Sequence, residues 1–301
     1  MRSIYRYRHR IRLLAAAALF LFGSTLEASE DPYLVTYSHQ MEEPGNLEIG
    51  LNEVAGAPKG GNSFLSSLLE LEYGATAWWT AEFYAEGQST AGQSAIFTGY
   101  RIENRVRPLM REHWINPVLY FEFETTNAAD KALKEIVGHD TYADQLVPNA
   151  VARREQDREA ELKLILSTNA KGWNFSENFI AEKNLAGDPW EFGYAFGMNR
   201  PLALAARPAP CSFCRENFRA GFEMFGGVGT LREFGLHDTS HYIAPCLQWQ
   251  VPGGPTFVVS PAFGLNRNSY GALMRFTVSY EFSQFGRRAQ RLASAGPGES
   301  R

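Results

Sequence analysis

The residues of this chain best equipped for chemistry are charged, and they recur at alternate positions. Glu70 and Glu72 form one such set, Glu82 and Glu86 a second, and Arg101, Glu103, Arg105 and Arg107 a third. Glu122 with Glu124, then Lys163 and finally Arg275 continue the pattern. In an extended chain alternate side chains share a face, so each set projects to one side of its strand. Opposite charges on neighbouring strands then lie close enough to pair. If that shared face encloses a lumen, two chemistries follow: an acidic lining that lowers the barrier for cations, or an ion-pair network filling a narrow interior. Glu48, Glu161, Glu182, Glu191, Glu223 and Glu281, with Arg219, fall on the same face.

The remaining reactive residues suggest little catalysis. Cys211 and Cys214 form a CxxC in a predicted loop. In an exported chain that spacing suits a small disulfide, whereas a metal site needs more ligands and c-type haem needs a His where Arg215 stands. Cys246 stands alone on a predicted strand and reads as a small buried residue. Ser240 and His241 invite comparison with rim-site hydrolases, but adjacent strand residues point to opposite faces. His39, His113, His139 and His237 are scattered without spaced partners. Neither a metal nor a cofactor is expected.

The elements that position these residues are strands. From Gly271 to Phe282, Ala272, Met274, Phe276, Val278, Tyr280 and Phe282 alternate with Gly271, Leu273, Arg275, Thr277, Ser279 and Glu281. Similar alternation begins at Leu47, Leu69, Trp79, Ile96 and Leu119, and again at Leu162, Phe175, Trp190, Phe218, Leu247 and Phe257. The total is about twelve, an even number as single-chain outer-membrane barrels require. Glu177 would face outward between Phe175 and Phe179 in this register, so a bulge or a rim position is expected there.

The head of the chain explains why such strands would meet lipid. Arg2, Arg6, Arg8, Arg10 and Arg12 precede an apolar run from Leu13 to Phe22 and small residues around Ala28, the layout of a secretory signal peptide. No later stretch is long and apolar enough for a membrane helix, which a barrel does not need. The formal net charge of −4 leaves no nucleic-acid footprint. The expected organisation is a signal peptide over 1–28, a periplasmic lead over 29–45, a transmembrane β-barrel over 46–282 and a flexible tail over 283–301. The fold class is all-β, an antiparallel transmembrane barrel. Its expected partners are outer-membrane lipid, the barrel-assembly machinery during biogenesis, and small-molecule solutes. With both termini periplasmic, GATAW and VPGGP are periplasmic turns and the long insertion from Asn127 to Glu159 is extracellular. Within it, ADKALKEIV has helical character and either caps the mouth or folds inward. Ala203 to Arg215 is long for a periplasmic turn.

The stretches AELKLILS, GWNFSENFIAEKNL, PWEFGYAFGMNRPL, FRAGFEMFGGVG, HYIAPCLQWQV, FVVSPAFGLN and LMRFTVSYEF, in this order, resemble a group of bacterial outer-membrane barrels. They are similar in layout to the transporter-like barrels named for the meta-pathway of phenol degradation. The resemblance spans most of the mature chain and implies passage of small organic molecules through the outer membrane. It brings no catalytic or binding motif. The tail SQFGRRAQRLASAGPGESR departs from the usual barrel, which ends at its terminal aromatic.

Overall fold

The computed structural model describes residues 31–132, 137, 146–205 and 211–287. The expected signal peptide, most of ADKALKEIV and the distal part of the expected tail lie outside the described residues. Twelve strands follow in chain order: β1 (Leu47–Gly56), β2 (Phe64–Thr76), β3 (Trp79–Thr90), β4 (Ala95–Val106), β5 (Asn116–Asn127), β6 (Gln156–Ala170), β7 (Trp173–Asn184), β8 (Glu191–Pro201), β9 (Phe218–Thr230), β10 (His241–Gln250), β11 (Thr256–Gly264) and β12 (Ala272–Phe282). Each pairs antiparallel with its sequence neighbours, and β1 pairs with β12 to close the barrel. Closure leaves no edge with unpaired backbone groups, the condition for a sheet to stand in hydrocarbon. Strand lengths run from 9 residues in β11 to 15 in β6. A tilted strand crosses a bilayer in ~9–11 residues. Among the described residues, no helix is long and apolar enough to cross a membrane.

The faces of the strands are inverted relative to a soluble protein. Leu69, Phe83, Ile102, Leu119, Phe121, Leu162, Phe179 and Phe276 stand on the outer surface, each at least 40% exposed. Glu72, Glu82, Glu103, Glu122, Glu161 and Glu223 are buried within. A continuous apolar belt of this extent is untenable in water and natural in lipid. Aromatics gather at the end where β1 begins and β12 ends, here called the terminal end. There Trp249 stacks on Phe213 at 4.7 Å and on Phe257 at 5.3 Å, while Trp78 lies beside Trp79 at 6.3 Å. Amphipathic rings at one level form the girdle typical of a membrane interface. A Phe276→Glu substitution is therefore expected to lower the yield of folded barrel, since a midplane charge on the lipid face costs up to about 2 kcal/mol. Thr277→Glu, whose side chain lies in the lumen beside Asn52, is expected to be tolerated. Heat-modifiability gels compare the two, and equal yields would refute the register.

Two expected details differ. Between β3 and β4 the register shifts at Glu86 and Gly87, which turns Thr98 inward and Phe97 out. Unbroken alternation from Ile96 puts Thr98 outside with Tyr100. Glu177 has no bulge: it pairs with Leu166 and Phe196 in unbroken register and stays half-buried on the outer face, near the terminal end of β7.

Both ends of the lumen are entered by chain that is not strand. From the opposite end, the described start of the connection between β5 and β6, up to Ala132, lies inside the barrel. The Lys131 amide donates to Gln88 Oε1 at 2.8 Å, and Tyr270 Oη donates to the Lys131 carbonyl at 3.1 Å. Ala132 joins an apolar cluster with Val54, Phe64 and Leu273. From the terminal end, the lead before β1 runs into the barrel instead of lying beneath it. Gly45 returns the chain to the wall through its amide, 2.7 Å from the Gly74 carbonyl.

Candidate functional site: the lumen

The register places nine glutamates directly opposite one another on consecutive strands. Glu281 of β12 faces Glu48 of β1, which faces Glu72 of β2 and then Glu82 of β3. Glu82 faces Glu103, Glu103 faces Glu122, and Glu122 faces Glu161. Glu161 faces Glu182, and Glu182 faces Glu191, the first residue of β8. Because the strands tilt, a row that follows the pairing direction climbs as it circles. It starts beside the last residue of β12 at the terminal end and finishes at the opposite end of β8. Like charges set directly opposite repel, so the row requires compensation.

Three cations supply part of it. Arg105 bridges Glu72 and Glu82 and lies 3.3 Å from Glu103. Arg101 pairs with Glu86, reaches Glu124 at 3.1 Å and approaches Glu122 at 3.5 Å. Lys163 lies 2.7 Å from Glu161 and 4.1 Å above the Tyr120 ring, a cation–π contact. Tyrosine hydroxyls supply more: Tyr84 donates to Glu103 at 3.1 Å and bonds Glu82, and Tyr120 donates to Glu122 at 2.8 Å. Glu70 accepts from Asn52 Nδ2 at 2.7 Å. Arg107, expected in the inward row, instead sits beyond the end of β4, where it donates to the Ala77 carbonyl at 3.1 Å. The strand ends one residue too early to aim it inside.

Arg275 stands apart from the row and pairs with Glu223 at 2.9 Å. Glu223 is fully buried and also captures the lead. Its carboxylate accepts the amides of Leu34 at 3.0 Å and of Val35 and Thr36 at 2.8 Å each. Successive N–H groups converging on one anion form a nest, and bonds to a charged acceptor are the stronger kind. Around this anchor, Asp31 meets Arg219 at 2.7 Å, and Tyr33 Oη donates to Asn174 at 2.9 Å. Asn178 accepts the Tyr37 amide at 2.7 Å and donates to its carbonyl at 2.8 Å. Tyr37 Oη donates to Glu103 at 2.9 Å, tying the lead to the glutamate row. His39 bonds Ser167 at 2.8 Å and Glu112 at 3.1 Å on the way out. Burial pushes the Tyr33 and Tyr37 hydroxyls above their ordinary range, so both remain neutral donors.

The wall is cut to fit the lead. A Cβ at Gly197 would stand 2.5 Å from the Tyr33 ring, and one at Gly74 would stand 2.1 Å from the Glu43 carbonyl. The lead packs toward β4–β9. Between it and the strands from β10 through β12 to β3 remains a cavity of about 190 Å³. Its walls carry Glu48, Glu70 and Glu281 with Asn52, Gln250, Thr277 and Ser279.

The other sequence candidates lie away from this interior path. Cys211 and Cys214 form a disulfide in the terminal-end turn between β8 and β9, where the Ser212 carbonyl accepts from Trp249 Nε1 at 2.8 Å. His241 points outward and bonds Tyr194 Oη at 3.1 Å and Thr239 Oγ1 at 2.9 Å, while Ser240 is buried.

These features define a closed twelve-stranded barrel with an apolar outside and an acidic, partly filled inside. No family model and no curated protein matches the chain. Solved structures with a similar fold include an outer membrane channel from Pseudomonas putida F1, at 10% identity over 84% of this chain and 99% of that one with a TM-score of 0.49. The NanC porin matches at 10% identity over 79% and 99% with a TM-score of 0.46. The KdgM porin, solved in complex with disordered oligogalacturonate, matches at 8% identity over 79% and 98% with a TM-score of 0.42.

Proposed function

We propose that this protein is an outer-membrane channel for small solutes that favours cations and is narrowed by its own N-terminal lead. The apolar belt with its aromatic girdle supports a place in the bilayer, and the export segment supports the outer membrane with the terminal end in the periplasm. The observation that carries the channel reading is the continuous row from Glu281 to Glu191, which spans the wall from end to end. A path lined by carboxylates concentrates cations and lowers their entry barrier. The resemblance of its strand sequences to the phenol meta-pathway barrels adds small organic molecules to the solutes worth testing. Reversal potentials across planar bilayers in a potassium chloride gradient test the reading. Cation preference is expected, weakened by Glu48→Gln together with Glu281→Gln at the open part of the row. Anion preference would contradict it.

A second reading, a plugged structural barrel, is favoured by the density of hydrogen bonds between lead and wall. It predicts no conductance from the folded, reconstituted full-length barrel.

A further inference from the structure

The anchor that holds the lead also leaves donors over. Glu223 draws two residues together, accepting the Thr36 amide at 2.8 Å and Arg275 Nη2 at 2.9 Å. Arg275 uses one edge of its guanidinium on this side, where Nη2 also meets Ser260 Oγ at 2.9 Å and Nε meets the Ser260 carbonyl at 3.3 Å. The other edge is unanswered. Arg275 Nη1 has no hydrogen-bond partner among the described residues, and neither does Thr36 Oγ1. Both residues are only 5% exposed. Buried polar groups are almost always satisfied, so two unanswered donors gathered by one carboxylate call for an acceptor.

Both residues line the cavity beside the lead. Its volume of about 190 Å³ has room for a small organic molecule, since a single water needs ~15 Å³ of such space. The cavity runs from Arg275 at mid-wall to Gly254 in the terminal-end turn between β10 and β11, and acidic side chains outnumber basic ones in its lining. Toward that end its wall is carboxylate. Glu70 faces Gly50, which faces Ser279, four residues along β12 from Arg275. At ~3.3 Å per residue the two levels lie on the order of 13 Å apart. Glu70 shortens that span by reaching Asn52 Nδ2 at 2.7 Å, and the long Arg275 side chain shortens it from the other side. Beyond Glu70, Glu48 faces Glu281. An acceptor at Arg275 is therefore separated from the acidic wall by about the length of an extended side chain.

We propose that this cavity binds α-amino acids with a cationic side chain. The α-carboxylate accepts from Arg275 Nη1 and Thr36 Oγ1, and the distal ammonium lies against Glu70 and the carboxylates beyond it. The inference rests on the channel reading and names a solute class for it, while the binding itself is measurable apart from conductance. Charge decides among the alternatives. A simple cation leaves the two donors unanswered, and a simple anion meets an acidic wall. A neutral polyol forgoes the charge-assisted bonds, which are roughly twice as strong as neutral ones.

The test is calorimetric titration of refolded full-length protein in detergent with L-lysine, cadaverine, L-norleucine and sorbitol, folding being checked by the heat-modifiable shift. Cadaverine is lysine without its carboxylate, and norleucine lacks the distal ammonium. Lysine is expected to bind roughly tenfold more tightly than each of the others. Thr36→Val keeps the amide that meets Glu223 and removes Oγ1. It is expected to weaken lysine about fivefold, the worth of one hydrogen bond, and to leave cadaverine unchanged. Glu70→Gln is expected to weaken lysine and cadaverine and to leave norleucine unchanged. Absence of lysine binding to folded protein would overturn the site. So would cadaverine, norleucine or sorbitol binding as tightly as lysine, or lysine binding that ignores Thr36→Val. In planar bilayers, lysine is expected to interrupt the potassium current over the concentrations at which it binds. Lysine binding by a protein that carries no potassium current would overturn the channel reading and leave the site standing. Cation-selective current without lysine binding would overturn the site alone.

Discussion

Replacing Glu223 with Ala should destabilise the barrel by about 3–5 kcal/mol, because it leaves Arg275 buried without its carboxylate. The same change strips the acceptor from the amides of Leu34, Val35 and Thr36. The lead then loses its central anchor, so single-channel conductance should rise as stability falls. Glu223→Gln keeps one carbonyl oxygen and should show a smaller version of both effects. Denaturant titration of refolded protein, read by the shift of the heat-modifiable band, measures the first effect, and planar-bilayer recording measures the second. A loss of stability without a change in conductance would mean that Glu223 holds Arg275 but not the lead.

The second large effect is expected at Arg105. Changing it to Ser leaves Glu72, Glu82 and Glu103 close together without the guanidinium that joins them. Breaking a buried network by removing one partner costs about 3–5 kcal/mol. Arg101→Ser should cost less, because Glu122 retains Tyr120. Arg107→Ser should lie within about 0.5 kcal/mol of wild type, since its side chain bonds only a turn carbonyl at the rim among its described contacts. Unfolding midpoints of the three variants rank these expectations. Equal losses at Arg105 and Arg107 would contradict the placement of the network.

Much of this architecture is legible in the sequence because a barrel wall writes its two faces as a period of two. The alternation from Ala272 to Phe282 states which side chains meet lipid, and VPGGP around Gly253 states where the chain reverses, whereas at GATAW the strand runs on through Gly74 to Thr76 and turns at Ala77 and Trp78. What alternation does not carry is register between strands. The inward glutamates can be read one strand at a time, but only pairing reveals that Glu281, Glu48, Glu72, Glu82 and their successors stand opposite each other. Thr98 escaped for a related reason: a bulge shifts the phase without changing composition. Arg107 was misplaced by extending a period past the end of its strand.

The lead is the larger omission. Residues 31–45 have no long apolar face and no partner strand in the sequence, so they read as a connector. Two signals are present: Tyr33, Val35 and Tyr37 continue an alternation before β1, and Gly193, Ala195 and Gly197 leave one face of β8 without bulk where Tyr33 needs room.

The most direct test of the account is the conductance of the chain with residues 31–40 excised and the export segment retained. That excision removes the nest on Glu223, the Tyr37 bond to Glu103 and the His39 bond to Ser167 together, while leaving the nine-glutamate row intact. The account predicts a severalfold larger single-channel conductance than the full chain, with cation preference preserved. An excised barrel that folds and inserts but conducts no better than the full chain would contradict it.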